Sequence, residues 1–302
     1  MGNYLKLVRW PNLLMISVFQ YLMRYALVAP ILDYQEKGLI VSHLDFALLV
    51  LSCVFIAAGG YIINDIEDVK IDSINKESRV LINAKINADS ANNLYMVLSF
   101  LGVAIGFYLT FVKEIKLIGM INLITAGLLY FYSTSYKCIP VLGNIIIALL
   151  TALLPLLVVL PEPAAMNDQA VLSFTGGYII FAFLMTLIRE LIKDLEDKKG
   201  DAECGCKTLP VVVGNFAVKI ITFLLIVVVI VLLILIQIAT KQWESIIPFL
   251  YVSLFIVLPL LYLCMLIIKS NVKDQFKKAS VLTKLVMFTG ILSMLVFYFS
   301  TQ

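Results

Sequence analysis

Asp65, Asp68 and Asp72 follow one another at steps of three and four residues in the stretch NDIEDVKID, Asn64 to Asp72. Asp194, Asp197 and Asp201 repeat those steps in RELIKDLEDKKGD, which begins at Arg189. On a helix such steps keep side chains on one face. Like charges so placed cost a helix ~0.2–0.5 kcal/mol per pair. The cost grows near a helix C-terminus, where the dipole disfavours anions. Solvated helix ends are one reading of the two trios. A bound cation that offsets the repulsion is the sharper one. Carboxylates without histidine or thiolate partners are hard oxygen donors suited to Mg²⁺, which takes one or two carboxylates together with phosphate oxygens. Lys76 and Arg79, just after the first trio, could grip phosphate directly, or act as basic anchors or partners of Asp72.

The trios must be held by membrane helices. The chain of 302 residues is 62% hydrophobic and 14% charged, whereas soluble domains are roughly 45–50% apolar. About nine apolar segments reach spanning length, near residues 14–32, 45–63, 93–112, 116–133, 141–160, 172–192, 217–239, 246–268 and 280–299. The fold class expected is all-α: a polytopic helical bundle forming a single domain over 1–302, with two acidic helix-loop segments in the long connections 64–92 and 193–216.

Basic residues crowd the amino end and the loops after the even-numbered spans. The opposite loops hold only Lys37, Lys113, Lys116 and Lys241. The positive-inside rule makes the first set cytoplasmic, so the amino terminus and both acidic segments face the cytosol, in the inner or plasma membrane of a prokaryote. The start, MGNYLKLVRWPN, reads as a cytoplasmic lead-in and not as a cleaved signal. The lone C-x-C, Cys204 and Cys206, lacks the further ligands of a zinc site, and no disulfide is demanded by the sequence. The bilayer is the expected surrounding. Nucleic acid and an obligatory protein partner are not expected.

A Mg²⁺–diphosphate site at the mouth of an apolar bundle suits a substrate with a polar head and a long apolar tail, each buried CH₂ contributing ~0.8 kcal/mol. A polyprenyl diphosphate has that form.

At these two segments the chain resembles the UbiA family of intramembrane prenyltransferases, marked by N-D-x-x-D-x-x-x-D and D-x-x-x-D. Here they are Asn64 to Asp72 and Asp197 to Asp201. INKESRVLINAKI resembles the stretch that follows the first motif in the family, with Glu77 and Val80 in place of two prolines and Ala84 in place of a glycine. Tyr132, Ser133 and Lys137, followed by Gly143 and Asn144, are similar to its loop after the fourth span. Within the family, RELIKDLEDKKGD…KTLP looks most like the branch that prenylates geranylgeranylglyceryl phosphate.

The resemblance implies transfer of a prenyl group from its diphosphate to an acceptor, with Mg²⁺ held by Asp65, Asp68, Asp197 and Asp201. Asp72 and Asp194 rank next as metal or water ligands. Asn64, Lys76, Arg79 and Lys137 would hold the diphosphate. Tyr130, Phe131 and Tyr132, near Ser133, could face an allylic cation, at ~0.5–2 kcal/mol each, or form an interfacial belt. Arg24, a charge inside the first span, could bind an anionic group of the acceptor, but snorkelling or pairing elsewhere in the bundle is the preferred reading. Asn12 could touch substrate, and a helix cap is the preferred reading. Gly59 and Gly60 read as helix-packing positions.

Other acceptors and classes stay in view: an aromatic quinone precursor, or a carboxylate-lined transporter. A transporter would carry its acids at mid-membrane in broken spans, whereas these lie at span ends. A CDP-alcohol phosphotransferase needs an Asp-Gly pair that is missing from both trios.

Overall fold

The computed structural model describes residues 2–75, 80–239 and 245–300. A short lead-in helix, Gly2–Leu7, precedes α1 (Trp10–Tyr34), α2 (His43–Glu67), α3 (Ala88–Phe111), α4 (Ile118–Thr134), α5 (Leu142–Val159), α6 (Gln169–Glu203), α7 (Leu209–Ala239), α8 (Ile246–Lys269) and α9 (Lys273–Ser300). Among the described residues, eight of these are long and apolar enough to cross a membrane. The exception is α4, at 17 residues, about 25 Å against a hydrocarbon core of ~30 Å. Each of the nine expected segments is therefore a helix, but eight and not nine reach spanning length. The only β-pairing among the described residues is an isolated bridge, Ile82 to Ile86.

Local chemistry sets where the helices start and bend. Ser42, Asn87 and Asp168 accept a backbone N–H two or three residues on, and so cap α2, α3 and α6. α1 opens into a π-turn at Met23–Val28 just before Pro30, and α8 does so at Ser253–Val257 before Pro259. Proline lacks an N–H and its ring crowds the carbonyl four residues back, which favours a widened turn. Gly214, at φ 82°, kinks α7 near its start.

Glycine lets α2, α3 and α4 approach closely. A Cβ on Gly102 would meet Ile56 Cγ1 at 2.6 Å and the Ser52 carbonyl at 2.9 Å; one on Gly59 would meet Ser99 Oγ at 2.4 Å, and one on Gly60 Leu129 Cδ1 at 2.8 Å. Asn122 on α4 donates to Ser52 Oγ and to the Gly102 carbonyl, both at 3.1 Å, fixing this contact with a buried amide.

Two apolar cores result. One gathers Met23, Phe46, Leu49, Leu157 and neighbours from α1, α2 and α5. The other gathers Met185, Ile188, Leu260 and Val286 from α6 to α9. A third cluster, with Leu7, Ile62, Ile82 and Ile86, packs the lead-in helix beneath the first long connection.

Candidate active site

α2 carries its apolar pattern to Glu67, and Asp68 is its C-cap, at φ −85° and ψ 1°. A short helix, Val69–Asn75, follows. The first trio is thus not on one unbroken helix: Asp65 lies on α2, Asp68 at the junction and Asp72 on the short helix, with Asp72 N–H donating to the Asp68 carbonyl at 2.8 Å. The second trio is on one helix. α6 runs for 35 residues, about 52 Å, so the turns beyond the apolar stretch 172–192 project past a hydrocarbon core and carry Asp194, Asp197 and Asp201.

Asn75 joins the two segments. Its Nδ2 donates to the Asp197 carbonyl at 2.8 Å, and its Oδ1 accepts from Gly200 N–H at 3.0 Å. Gly200 is needed there, because a Cβ would lie 2.4 Å from Asn75 Nδ2. Lys273 of α9 donates to the Asn75 carbonyl. The two acidic segments therefore sit at one end of the bundle, and Asp201 feels the charges of both Asp197 and Asp68.

Cations stand among these acids. Arg9 donates to Asp65 at 2.6 Å and lies 4.9 Å over the Tyr61 ring. Lys137 meets Asp68 at 2.5 Å, and Asn64 donates to the other Asp68 oxygen at 2.7 Å. Asn144 donates to Asp194 at 2.9 Å, and Thr208 to Asp201 at 3.0 Å. Burial pushes the Asp201 carboxyl up to about 6, against its Thr208 bond and with Asp197 and Asp68 adding repulsion. Burial likewise pushes Asp194 up to about 7, opposed by Asn144 and reinforced by Glu190.

These residues fit Mg²⁺. Two partly desolvated carboxyls are costly as anions in this setting, and a divalent cation removes that cost. The donors are hard oxygens only. Among the described residues, no three Asp, Glu, Cys or His side chains gather closely enough to enclose an ion unaided. The protein supplies part of a coordination shell, and phosphate or water oxygens would supply the rest.

Below the acids lies a cavity of about 280 Å³. Arg9, Asn12, Tyr61, Asn64, Tyr132, Arg189, Glu190, Lys193 and Lys284 line its polar end, and its depth is lined by side chains such as Phe19, Ile56, Leu154, Leu157, Phe181 and Met185.

The other expected site residues divide. Tyr132 lines the cavity; Tyr130 and Phe131 are 41% and 50% exposed, and neither lines it. Ser133 is buried and donates to the Leu129 carbonyl. Arg24 corrects its expectation: it is 1% exposed, ion-paired with Glu162 at 3.3 Å, donates to the Val41 carbonyl and sits 4.4 Å over Phe46. It is not among the residues lining the cavity, so the acceptor contact falls and the preferred reading, pairing inside the bundle, holds. Asn12 corrects its preferred reading in the other direction. Arg9, in the left-handed region at φ 52°, occupies the N-cap of α1, and Asn12 faces the cavity, donating to Tyr61 Oη at 3.2 Å. Lys76 and Arg79 lie outside the described residues.

The sequence demands no disulfide, yet Cys138 and Cys206 are bonded, with Cα atoms 4.5 Å apart. The bond ties the loop bearing Lys137 to the turn after Asp201, where Lys207 N–H also donates to the Cys138 carbonyl at 3.2 Å.

A model of the UbiA prenyltransferase family matches residues 34–292. The chain belongs to this family. It is therefore an integral membrane prenyltransferase, and the resemblance carried by the two acidic motifs is borne out. Digeranylgeranylglyceryl phosphate synthase of Sulfurisphaera tokodaii is 36% identical over 236 residues, covering 74% of this chain and 75% of that one. The synthase of Saccharolobus solfataricus is 30% identical over 260 residues, covering 86% and 84%. The fold is similar to a solved digeranylgeranylglyceryl phosphate synthase structure, with TM-score 0.66 at 24% identity and 98% of each chain covered. It is also similar to a UbiA homologue of Archaeoglobus fulgidus bound to DMAPP and Mg²⁺, with TM-score 0.56 at 17% identity, covering 98% of this chain and 99% of that one.

Several residues at this UbiA-family site were not singled out from sequence: Arg9, Asn75, Arg189, Lys193 and Lys284. Arg189, Lys193 and Asp197 stand at successive steps of four on α6, a stripe that offered a signal. Asn75 and Lys284 offered none, since their partners lie far away in sequence.

Proposed function

We propose that the protein transfers a geranylgeranyl group from its diphosphate to the hydroxyl of a lipid-tailed glyceryl phosphate, with Mg²⁺, at the cytoplasmic face of a prokaryotic plasma membrane. One domain spanning the whole chain carries the reaction. The observation that carries this reading is the Asn75 bridge between the two acidic segments, whose neighbours Asn64 and Lys193 line the polar end of one apolar cavity. The synthases named above, alike along most of their length, favour the glyceryl phosphate acceptor.

Asp65, Asp68, Asp197 and Asp201 would hold the metal, with Asp72 and Asp194 supporting them. Bound Mg²⁺ supplies positive charge against the leaving diphosphate. Lys137, on Asp68, stands where it can also meet a phosphate oxygen, and Arg9 does the same from Asp65. Asn64 orients the Asp68 carboxylate. The apolar depth takes the prenyl tail and keeps water from C1. Tyr132 lines the same cavity and offers its ring face to positive charge developing there. The C1–O bond to diphosphate breaks with its electron pair leaving on oxygen. The acceptor oxygen forms the new bond to C1, and its proton passes to a carboxylate or diphosphate oxygen at the mouth.

The test uses purified protein in lipid nanodiscs with Mg²⁺, labelled geranylgeranyl diphosphate and separate acceptors. Geranylgeranylglyceryl phosphate should yield a diether phosphate and free diphosphate. Turnover with an aromatic hydroxyacid alone would replace the acceptor assignment.

A further inference from the structure

Three cations, Arg189, Lys193 and Lys284, stand with Glu190 at the polar end of the cavity. Arg189 Nη1 is 2.6 Å from Glu190, and Lys193 Nζ is 3.8 Å from the same side chain. Lys284, on α9 within the apolar stretch, has no carboxylate within ion-pair distance among the described residues; its bond to Asn12 Oδ1 is 3.4 Å long. The charges it feels are Arg189, Arg9 and Lys193, with Glu190 opposing them. Arg189 Nε is buried and makes no hydrogen bond. Unmatched cations at this depth are costly, and default to a functional reading.

Arg189 and Lys284 differ in place from the acids, whereas Lys193 directly precedes Asp194 and feels Asp197, and so links the two regions. Arg189 precedes Asp197 by eight residues on α6, so it lies about 12 Å nearer the membrane interior. None of the six aspartates is among the main charges felt by Lys284, whereas Arg9 and Lys137 are engaged with Asp65 and Asp68. Cations from α6 and α9, with Asn12 from α1, thus line the polar end of the cavity.

We propose that Arg189, Lys193 and Lys284, with the side-chain amide of Asn12, form a second anion subsite, separate from the diphosphate site, that binds the dianionic phosphate of the acceptor. This rests on the prenyl-transfer reading above. Arg189, whose Nε makes no hydrogen bond, and Lys284, which has no ion pair among the described residues, present positive charge from two helices that suits a phosphate monoester dianion. The guanidinium Nε and Nη groups of Arg189 offer a fork to two phosphate oxygens. Lys284 adds a point charge from the facing helix, and Asn12 Nδ2 can donate in place of its bond to Tyr61. A phosphate held there keeps the acceptor's glycerol hydroxyl under C1 of a prenyl diphosphate fixed above, while its own tail shares the apolar depth. The subsite acts by positioning, so its loss should weaken acceptor binding more than turnover.

The experiment compares wild type with Lys284→Gln, Arg189→Gln and the conservative Lys284→Arg. KM is measured separately for geranylgeranylglyceryl phosphate and for geranylgeranyl diphosphate. Binding of geranylgeranylglyceryl phosphate and of its phosphate-free alcohol is measured in parallel without donor. Both Gln variants should raise the acceptor KM by roughly ten- to a hundredfold, the range for losing a charged hydrogen bond, and leave the donor KM within about twofold. Wild type should bind the phosphate better than the alcohol, the Gln variants should lose that preference, and Lys284→Arg should restore it. A raised donor KM with an unchanged acceptor KM would assign these cations to the diphosphate and overturn the proposal. Equal phosphate preference in wild type and Gln variants would also overturn it. If wild type turns over no glyceryl phosphate, the binding arm still decides: a phosphate preference lost in both variants keeps the anion subsite while the transfer reading fails.

Discussion

Removing the Asn75 side chain should disable the site without unfolding the bundle. Asn75→Ala deletes two hydrogen bonds that join the acidic segments, at 2.8 Å to the Asp197 carbonyl and 3.0 Å from Gly200 N–H. At ~0.5–1.5 kcal/mol each, the pair contributes ~1–3 kcal/mol to holding the segments in register, or roughly 5- to 150-fold in kcat/KM. Gly200→Ala attacks the same contact from the other side, placing a Cβ 2.4 Å from Asn75 Nδ2, an overpacking of ~1–3 kcal/mol. Since Asn75→Ala removes the atoms that Cβ would strike, the double variant should lose less than the sum of the singles. The assay is prenyl transfer over a Mg²⁺ titration, with melting temperature as the folding control. Both singles should need more Mg²⁺ for half-maximal rate. An Asn75→Ala enzyme with wild-type rate and wild-type Mg²⁺ dependence would refute the reasoning, and so would strict additivity.

Other consequences follow from the same structure. Asp68→Asn and Asp197→Asn should each abolish transfer while leaving expression and melting intact, as checked by product formation and thermal unfolding. Because Asp194 and Asp201 are pushed up to about 7 and about 6, against ~3.9 in an unfolded chain, the folded protein holds more protons across that interval; without Mg²⁺ its stability should fall as pH rises from 4 to 7, and Mg²⁺ should raise the melting temperature at pH 8 more than at pH 5. Glu162→Gln leaves Arg24 without its ion pair in a fully buried place, so it should lower stability by ~3–5 kcal/mol in a denaturation experiment and leave the donor and acceptor KM of the folded fraction unchanged. Reducing the Cys138–Cys206 bond, which closes a loop of 68 residues, should lower stability by ~3–5 kcal/mol on the chain-entropy account, as seen by melting with and without thiol.

The helices were legible because each is an apolar run of the right length, and the acids because their steps of three and four are a local signal. What sequence did not reveal was pairing at a distance. Pairing was the preferred reading for Arg24, but its partner could not be named, because Glu162 sits in a loop more than a hundred residues away. Asn12 looked like a cap because it stands near a helix start, yet the chain turns at Arg9 and leaves Asn12 facing the cavity. The first trio reads as one helical stripe, but its helix ends at Asp68, and the Asn75 amide that fixes the broken segment is an ordinary residue by composition. Lys284 drew notice only as one of many basic residues on one side; its lack of a counter-charge needs three helices in place to be seen.

In the proposed mechanism both acidic segments bind one metal–diphosphate head. Mn²⁺ electron paramagnetic resonance on the protein with an unreactive thio-analogue of geranylgeranyl diphosphate tests it most directly. Wild type should show bound Mn²⁺ with phosphorus coupling, and Asp68→Asn and Asp197→Asn alike should lose that signal. Undiminished Mn²⁺–phosphorus coupling in either variant would contradict it.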